Sequence, residues 1–246
     1  MRKKCFDPCA TSPFAISRTG LELFVNCPRC FYFDKRLGHG RPPGLPFTLN
    51  SAVDALLKRE FDDCRERRVP HPLMARAGID AVPYKHPHLD TWRDVRKGIR
   101  FVHEPSGFEV YGAVDDVWQN PRGELILVDY KATAKAAEVT ELNEAWHGSF
   151  KRQLEIYQWL FRRNGFVVSP TAYWVYANGD ADAPRFDQTL RFRMTLIPYT
   201  ASDDWVEGLM MAARDCLMNE APPAPATKCP HCSFAAERLA YAAKAN

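Results

Sequence analysis

GAVDDVWQNPRGELILVDYK, residues 112–131, holds two β-forming runs around a turn. The first run, 110–118, contains Val, Tyr and Trp, and the second, 124–131, carries the apolar block 125–128. Between them Pro121 and Gly123 supply the fixed and the permissive φ that a short connection needs, so Trp118 and Glu124 are expected to close a β-hairpin. In that register Asp115 faces Leu127 and lies diagonal to Asp129, roughly 7–8 Å away on the same sheet face. Side chains alternate along a strand, so Lys131 projects with Asp129, while Tyr130 turns away and leaves its carbonyl near the carboxylates. Two carboxylates and a carbonyl arranged in this way suit a shared divalent cation. The plain alternative is a surface hairpin with incidental charges at its strand ends.

The surrounding chain is long enough to enclose such a site. Its 246 residues, 46% hydrophobic and 26% charged, exclude wholesale disorder and allow one substantial core with a small appended module. A net charge of +3 is too mild to indicate a nucleic-acid partner by itself, so local basic clusters matter more. The start, MRKKCFDPCATSPF, has a basic head without an apolar core segment, and no long apolar run follows; a cytoplasmic protein with no membrane partner is expected. Four of the eight cysteines form the pairs Cys27/Cys30 and Cys229/Cys232, a spacing that in a reducing compartment favours metal or cluster ligation over disulfides. Cys64 and Cys216 fall within helical patterns and are expected in the core, whereas Cys5 and Cys9 belong to residues 1–16, read as a tail.

Ser17 is a candidate N-cap for a short helix bearing Leu21, Leu23 and Phe24, which leads to the first cysteine pair. After a loop punctuated by Pro42, Pro43 and Pro46, the residues Leu49, Val53, Leu56, Leu57 and Phe61 mark one face of a helix over 47–67. That helix carries Asp54, a further candidate metal ligand, although charges on an amphipathic helix are ordinarily solvated. Residues 69–91, rich in Pro and His, read as an extended surface segment, and 99–103 as a strand joining the hairpin. A helix over 150–163 has the apolar stripe Phe150, Leu154, Tyr157, Leu160 and Phe161, stacks Gln153 with Tyr157 one turn on, and stops at Asn164-Gly165. Strands follow at 172–176 and 188–196, the second with Arg191 and Arg193 on one face, where a phosphate backbone or bulk water would serve equally. Ser202, Asp203 and Asp204 are expected to cap a last long helix through 219, with a Pro-rich linker over 220–228 and a short terminal helix beyond it.

Taken in order, Gly112-x-x-Asp115, Asp129-Tyr130-Lys131 and Gln153-x-x-x-Tyr157 resemble the PD-(D/E)XK nuclease superfamily, and within it the RecB-like branch. The resemblance runs from residue 17 to the C-terminus and implies an α/β fold with a restriction-endonuclease-like core, a central mixed β-sheet flanked by helices. It implies hydrolysis of DNA phosphodiester bonds with Mg²⁺ or Mn²⁺ held by Asp115, Asp129 and the Tyr130 carbonyl. Lys131 would orient or activate the attacking water and steady charge on the phosphate, and Gln153 and Tyr157 would help hold ligands or DNA. The family usually places a histidine on the first helix; Asp54 stands at that position here, which bears on a second metal. The rival reading, a non-catalytic DNA-binding or scaffolding module that kept the fold, draws on that departure.

The cysteines resemble those of the iron–sulfur exonucleases of CRISPR adaptation and of AddB-type subunits, whose cluster joins the two chain ends. The resemblance implies a 4Fe–4S cluster on Cys27, Cys30, Cys229 and Cys232. Those relatives divide their ligands one and three, whereas this chain offers two and two, and two CxxC pairs also suit a Cys₄ zinc site. The implied organisation is a nuclease domain over 17–219, with 220–246 folding back on 17–35. The implied partners are DNA ends or single strands, within a larger assembly for DNA repair or CRISPR adaptation.

Overall fold

A computed structural model gives the fold and describes residues 5–44 and 48–245. In chain order the elements are β1 (Phe14–Ser17), α1 (Arg18–Asn26), α2 (Pro28–Lys35), α3 (Thr48–Arg67), α4 (Pro72–Arg76), β2 (Val82–Pro83), α5 (Leu89–Arg93), β3 (Ile99–His103) and β4 (Phe108–Gly112). There follow β5 (Asp116–Gln119), β6 (Leu125–Thr133), α6 (Gly148–Arg163), β7 (Thr171–Gly179), β8 (Phe192–Thr200), α7 (Val206–Met218) and α8 (Pro230–Ala245). Among the described residues these strands form two sheets, ordered β1-β4-β3 and β2-β5-β6-β7-β8. The larger sheet is mixed: β6 and β7 run parallel, and the other pairs are antiparallel. A parallel step needs a crossover, and α6 supplies it. The mixed α/β architecture is the one expected, and no helix among the described residues is long and apolar enough to cross a membrane.

The chain divides into two compact units that alternate along the sequence. One comprises Met1–Leu45, Val102–Tyr111 and Asp204–Asn246; the other comprises Pro46–Phe101 and Gly112–Asp203. Boundaries at residues 16 and 219 therefore do not coincide with where the units part. In the first unit, β1 pairs in parallel with β4, Phe14 opposite Phe108, and the buried Phe6 ring meets Phe14 edge-on at 5.5 Å. Residues read as a tail thus contribute an aromatic core, because three Phe rings bury more apolar surface together than a solvated tail would leave covered. Ser17 caps α1 as expected, its hydroxyl accepting from Gly20 N at 3.1 Å, and Cys216 is buried on α7.

The second unit holds the hairpin, α3 and α6. Its core gathers Phe61 of α3, Trp118 of β5 and Val128 and Tyr130 of β6, with Phe61 stacked on Trp118 at 5.5 Å. The expected stripe on α3 is only half buried: Leu57 and Phe61 are enclosed, but Leu49 and Leu56 are 59% and 54% exposed. Phe47, the expected first residue of that helix, lies outside the described residues. Residues 69–91 are not an extended surface segment. Pro72 opens α4 behind His71, whose Nδ1 accepts from Leu73 N at 3.2 Å and whose ring stacks on Phe61 at 4.2 Å. His86 likewise stacks on Trp92 of α5 at 4.3 Å, so the prolines and histidines mark helix starts and ring contacts.

Two corrections concern the hairpin itself. The first run is not one strand: β4 ends at Gly112 in the smaller sheet, and the chain re-enters pairing at Asp116 in the larger one, so β3 joins β4 rather than the hairpin. The register also differs, with Trp118 opposite Ile126 instead of Glu124 and Gln119 opposite Leu125. The turn absorbs the difference because Asn120 Oδ1 accepts from both Arg122 N and Glu124 N at 3.0 Å, and Gly123 adopts φ 81°. Farther on, β8 starts at Phe192, later than expected, and α7 starts at Val206 behind Trp205 while Asp203 pairs with Arg162 at 2.7 Å.

One close backbone approach lies beside the sheet switch. Gly98 has φ +61°, and a Cβ there would lie 2.3 Å from the carbonyl oxygen of Gly112. Gly98→Ala is therefore expected to cost at least about 2 kcal/mol, from left-handed strain plus displacement of the Gly112 backbone. Urea denaturation measures it, and a variant as stable as the parent would contradict this account.

Candidate active site

The register places Asp115, immediately before β5, across from Asp129 on β6. A shift of two residues leaves every side chain on its expected face, so the two carboxylates still share one side of the sheet. Asp115 Oδ2 accepts from Tyr130 N at 2.9 Å. Asp129 is wholly buried, its Oδ1 accepting from Gln153 Nε2 at 2.7 Å and its Oδ2 paired with the Lys131 ammonium. Gln153 Nε2 also lies 3.2 Å from the Tyr157 hydroxyl, and Lys131 Nζ sits 4.6 Å from the centroid of the Phe150 ring. The structure thus brings Asp115, Asp129, Lys131, Gln153 and Tyr157 together.

Removal from water pushes the Asp129 carboxyl up to about 7; the Lys131 ammonium pulls the other way, and the neighbouring Asp115 carboxyl adds to the rise. The carboxylates of Asp54, Asp115 and Asp129 meet the ammonium groups of Lys58 and Lys131, so the site is short of positive charge. Its donors are all oxygens, which fits a hard divalent ion such as Mg²⁺ or Mn²⁺. Of this group Asp115 and Lys131 line a cavity of about 580 Å³, together with Asp54, Lys58, Arg93 and Phe150, among others, and Asp129 lies buried behind them.

A family model described as the PD-(D/E)XK nuclease superfamily matches residues 15–236. The chain belongs to this superfamily. Solved structures similar to it include SSO0001, 15% identical with a TM-score of 0.39, where the match covers 87% of this chain and 80% of that one. A protein named as a candidate exonuclease from Eubacterium rectale is 12% identical with a TM-score of 0.41, covering 89% of this chain and 87% of that one. No curated protein sequence matches. Nucleases of the PD-(D/E)XK superfamily use divalent metals, in keeping with the oxygen donor set around Asp129.

Asp54, at the position where a PD-(D/E)XK histidine was expected, lines the same cavity, but its carboxylate is engaged by a residue that sequence reasoning missed. Lys58 Nζ lies 2.8 Å from Asp54 Oδ2 and 3.6 Å from Asp115 Oδ1. The spacing of four residues on α3 was the available signal, since it puts Lys58 on the face of Asp54. Arg93 of α5 was also missed; its Nε donates to the Asp115 carbonyl at 3.0 Å. No motif announces it.

Asp116, the neighbour of Asp115, points to the opposite sheet face and is completely buried. There it binds the Arg65 guanidinium, Arg93 Nη2 at 2.9 Å, Val117 N at 2.8 Å and the Tyr130 hydroxyl at 2.9 Å. The Tyr130 side chain turns away from Asp129 as strand alternation requires, and burial raises its phenol well above the ordinary range, which keeps it a hydrogen-bond donor to Asp116. The network fixes the back of the strand whose front carries Asp129.

Cys27, Cys30, Cys229 and Cys232 form a separate group in the first unit, with all four sulfurs within 4.8 Å of one another. Such a set can hold a metal or a cluster. Cys64 is buried on α3 in the second unit, and Cys5 and Cys9 belong to no such group among the described residues.

Proposed function

We propose that the chain is a RecB-like, Mg²⁺- or Mn²⁺-dependent deoxyribonuclease that hydrolyses phosphodiester bonds at DNA ends or on single strands. The observation that carries the reading is the convergence of Asp115, Lys131, Gln153 and Tyr157 on the buried carboxylate of Asp129. Asp115, Asp129 and the Tyr130 carbonyl would hold the metal, which when bound would supply Lewis-acid polarisation of the phosphate. Lys131, braced between Asp129 and the Phe150 ring, is placed to orient the attacking water and to offset charge gathering on the phosphate oxygens. Gln153 fixes one oxygen of Asp129 by hydrogen bonding, and Tyr157 holds Gln153. DNA repair and CRISPR adaptation are the settings in which the motif order Asp115, Asp129-x-Lys131, Gln153-x-x-x-Tyr157 finds its likeness.

A non-catalytic DNA-binding module is the second reading, and Lys58 is what favours it: its ammonium lies 2.8 Å from Asp54 Oδ2 and 3.6 Å from Asp115 Oδ1 and so offsets negative charge that a metal would otherwise meet. One assay separates the two. End-labelled single- and double-stranded DNA is incubated with the purified chain in Mg²⁺ or Mn²⁺, with EDTA and Lys131→Ala as controls. Cleavage is expected, abolished by EDTA and reduced about 10²-fold in the variant, the usual scale for losing one electrostatic contributor. DNA binding without cleavage at any metal concentration, or unchanged cleavage by Lys131→Ala, would reject the nuclease mechanism.

A further inference from the structure

The two cysteine pairs repeat one local design. Cys27-Pro28-Arg29-Cys30 opens α2, and Cys229-Pro230-His231-Cys232 opens α8, each with a proline in the first helical turn. Proline there presets the helical φ, and the helix start directs backbone dipoles toward the sulfurs, which favours thiolates. Cys30 Sγ lies 3.6 Å from both Cys229 Sγ and Cys232 Sγ, and Cys27 Sγ lies 3.8 Å from Cys232 Sγ.

These distances discriminate between occupants. Disulfide sulfurs stand about 2 Å apart, so no pair is bonded. In a four-iron cluster each thiolate binds a different iron at a corner of a cube, which spreads the cysteine sulfurs to roughly 6 Å. Four sulfurs at about 2.3 Å from one tetrahedral ion are about 3.8 Å apart. Those three separations match that edge, and with all four sulfurs within 4.8 Å of one another the set is too tight for the cube.

We infer that Cys27, Cys30, Cys229 and Cys232 enclose a single Zn²⁺ and not the 4Fe–4S cluster that the family resemblance implies. Binding displaces the four thiol protons and leaves the site with a net charge of −2. Donors that answer that charge include Ala226 N at 3.5 Å from Cys27 Sγ and Arg41 Nη2 at 3.4 Å from Cys229 Sγ. The fold also needs the ion. Past Cys232 the described side chains of α8 are exposed, including Phe234 at 62%, Leu239 at 72% and Tyr241 at 77%, so apolar burial does little to hold this helix. Coordination at its first turn ties it to α2, as structural zinc does in domains too small to close by packing.

The test is metal and acid-labile sulfide analysis of the full chain purified anaerobically. The expected result is about one zinc per chain, no labile sulfide and no visible colour, with an intensely coloured tetrahedral thiolate spectrum after exchange with Co²⁺. Cys30→Ser should lose most of that zinc and expose Lys228 to trypsin about ten-fold faster, whereas Asp129→Asn should keep it, which excludes the carboxylate site as its source. Four irons with four sulfides, a single iron, zinc retained by Cys30→Ser, or a reduced metal-free chain that takes up no Zn²⁺ would each overturn the assignment. None of these outcomes depends on nuclease activity.

Discussion

Asp129→Asn is expected to lower metal-dependent DNA cleavage about 10³-fold, yet to make the metal-free protein more stable than the parent near pH 8. The loss of activity follows from removing one of two carboxylates that would hold the metal, on a side chain that Lys131 and Gln153 both touch. The gain follows from burial. The Asp129 carboxyl titrates at about 7 in the fold, against 3.8 for an ordinary aspartate, chiefly because it is shut away from water. Between those two values the folded chain binds more protons than the unfolded one, so stability falls as pH rises from about 4 to about 7 and stays low above that. Asparagine cannot ionise, keeps an Oδ1 to accept from Gln153, and escapes this loss. Denaturation in EDTA near pH 5 and near pH 8 measures the effect: parent and variant should be close at the lower pH and part at the higher one. The same proton competes with the metal, so the Mg²⁺ concentration for half-maximal cleavage should fall as pH rises through 7. A parent that gains stability relative to Asp129→Asn between the two pH values would show that burial does not govern this carboxyl.

How far the site could be read in advance depended on the reach of each signal. Strand alternation survives a register error of two residues, so the shared face of Asp115, Asp129 and Lys131 stood even though Trp118 pairs with Ile126 and not Glu124. The helical spacing of Gln153 and Tyr157 is equally local, and both reach the site because α6 crosses between β6 and β7. The break after Gly112 was illegible, because β4 and β5 join different sheets and no residue between them marks the change; the Gly112 backbone lies close to Gly98, fourteen residues earlier in the chain. Composition misled over residues 69–91: proline and histidine suit an extended segment, but His71 and His86 found aromatic faces to stack on. Lys58 had a signal in its spacing from Asp54, whereas Arg93 and Asp116 had none. An aspartate beside a catalytic candidate reads as surface charge until the arginines that meet it are known.

Asp116→Ala is expected to destabilise the protein by about 3–5 kcal/mol, the range for breaking a buried charge pair by deleting one partner. Asp116 is fully buried, and Arg65, which it pairs with, is only 3% exposed. Alanine would leave two guanidinium groups and the Tyr130 hydroxyl facing a space with no acceptor, while Asp62 could answer only part of the charge on Arg65 and Arg93. Asp116→Asn should fall between the variant and the parent, since it keeps an acceptor for Tyr130 but removes the negative charge. The damage should reach the candidate active site by a definite route. Arg93 holds both Asp116 and the Asp115 carbonyl, and Tyr130 gives its hydroxyl to Asp116 and its N–H to Asp115. Loosening the back of the sheet therefore frees the Asp115 carboxylate in front, and weaker Mg²⁺ binding should accompany the lost stability in the fraction that remains folded. Urea denaturation gives the first quantity and metal titration of cleavage the second. If Asp116→Ala lies within about 1 kcal/mol of the parent, the network is not the support described; if it unfolds more readily but binds Mg²⁺ as the parent does, the link from Asp116 to Asp115 fails while the structural role stands.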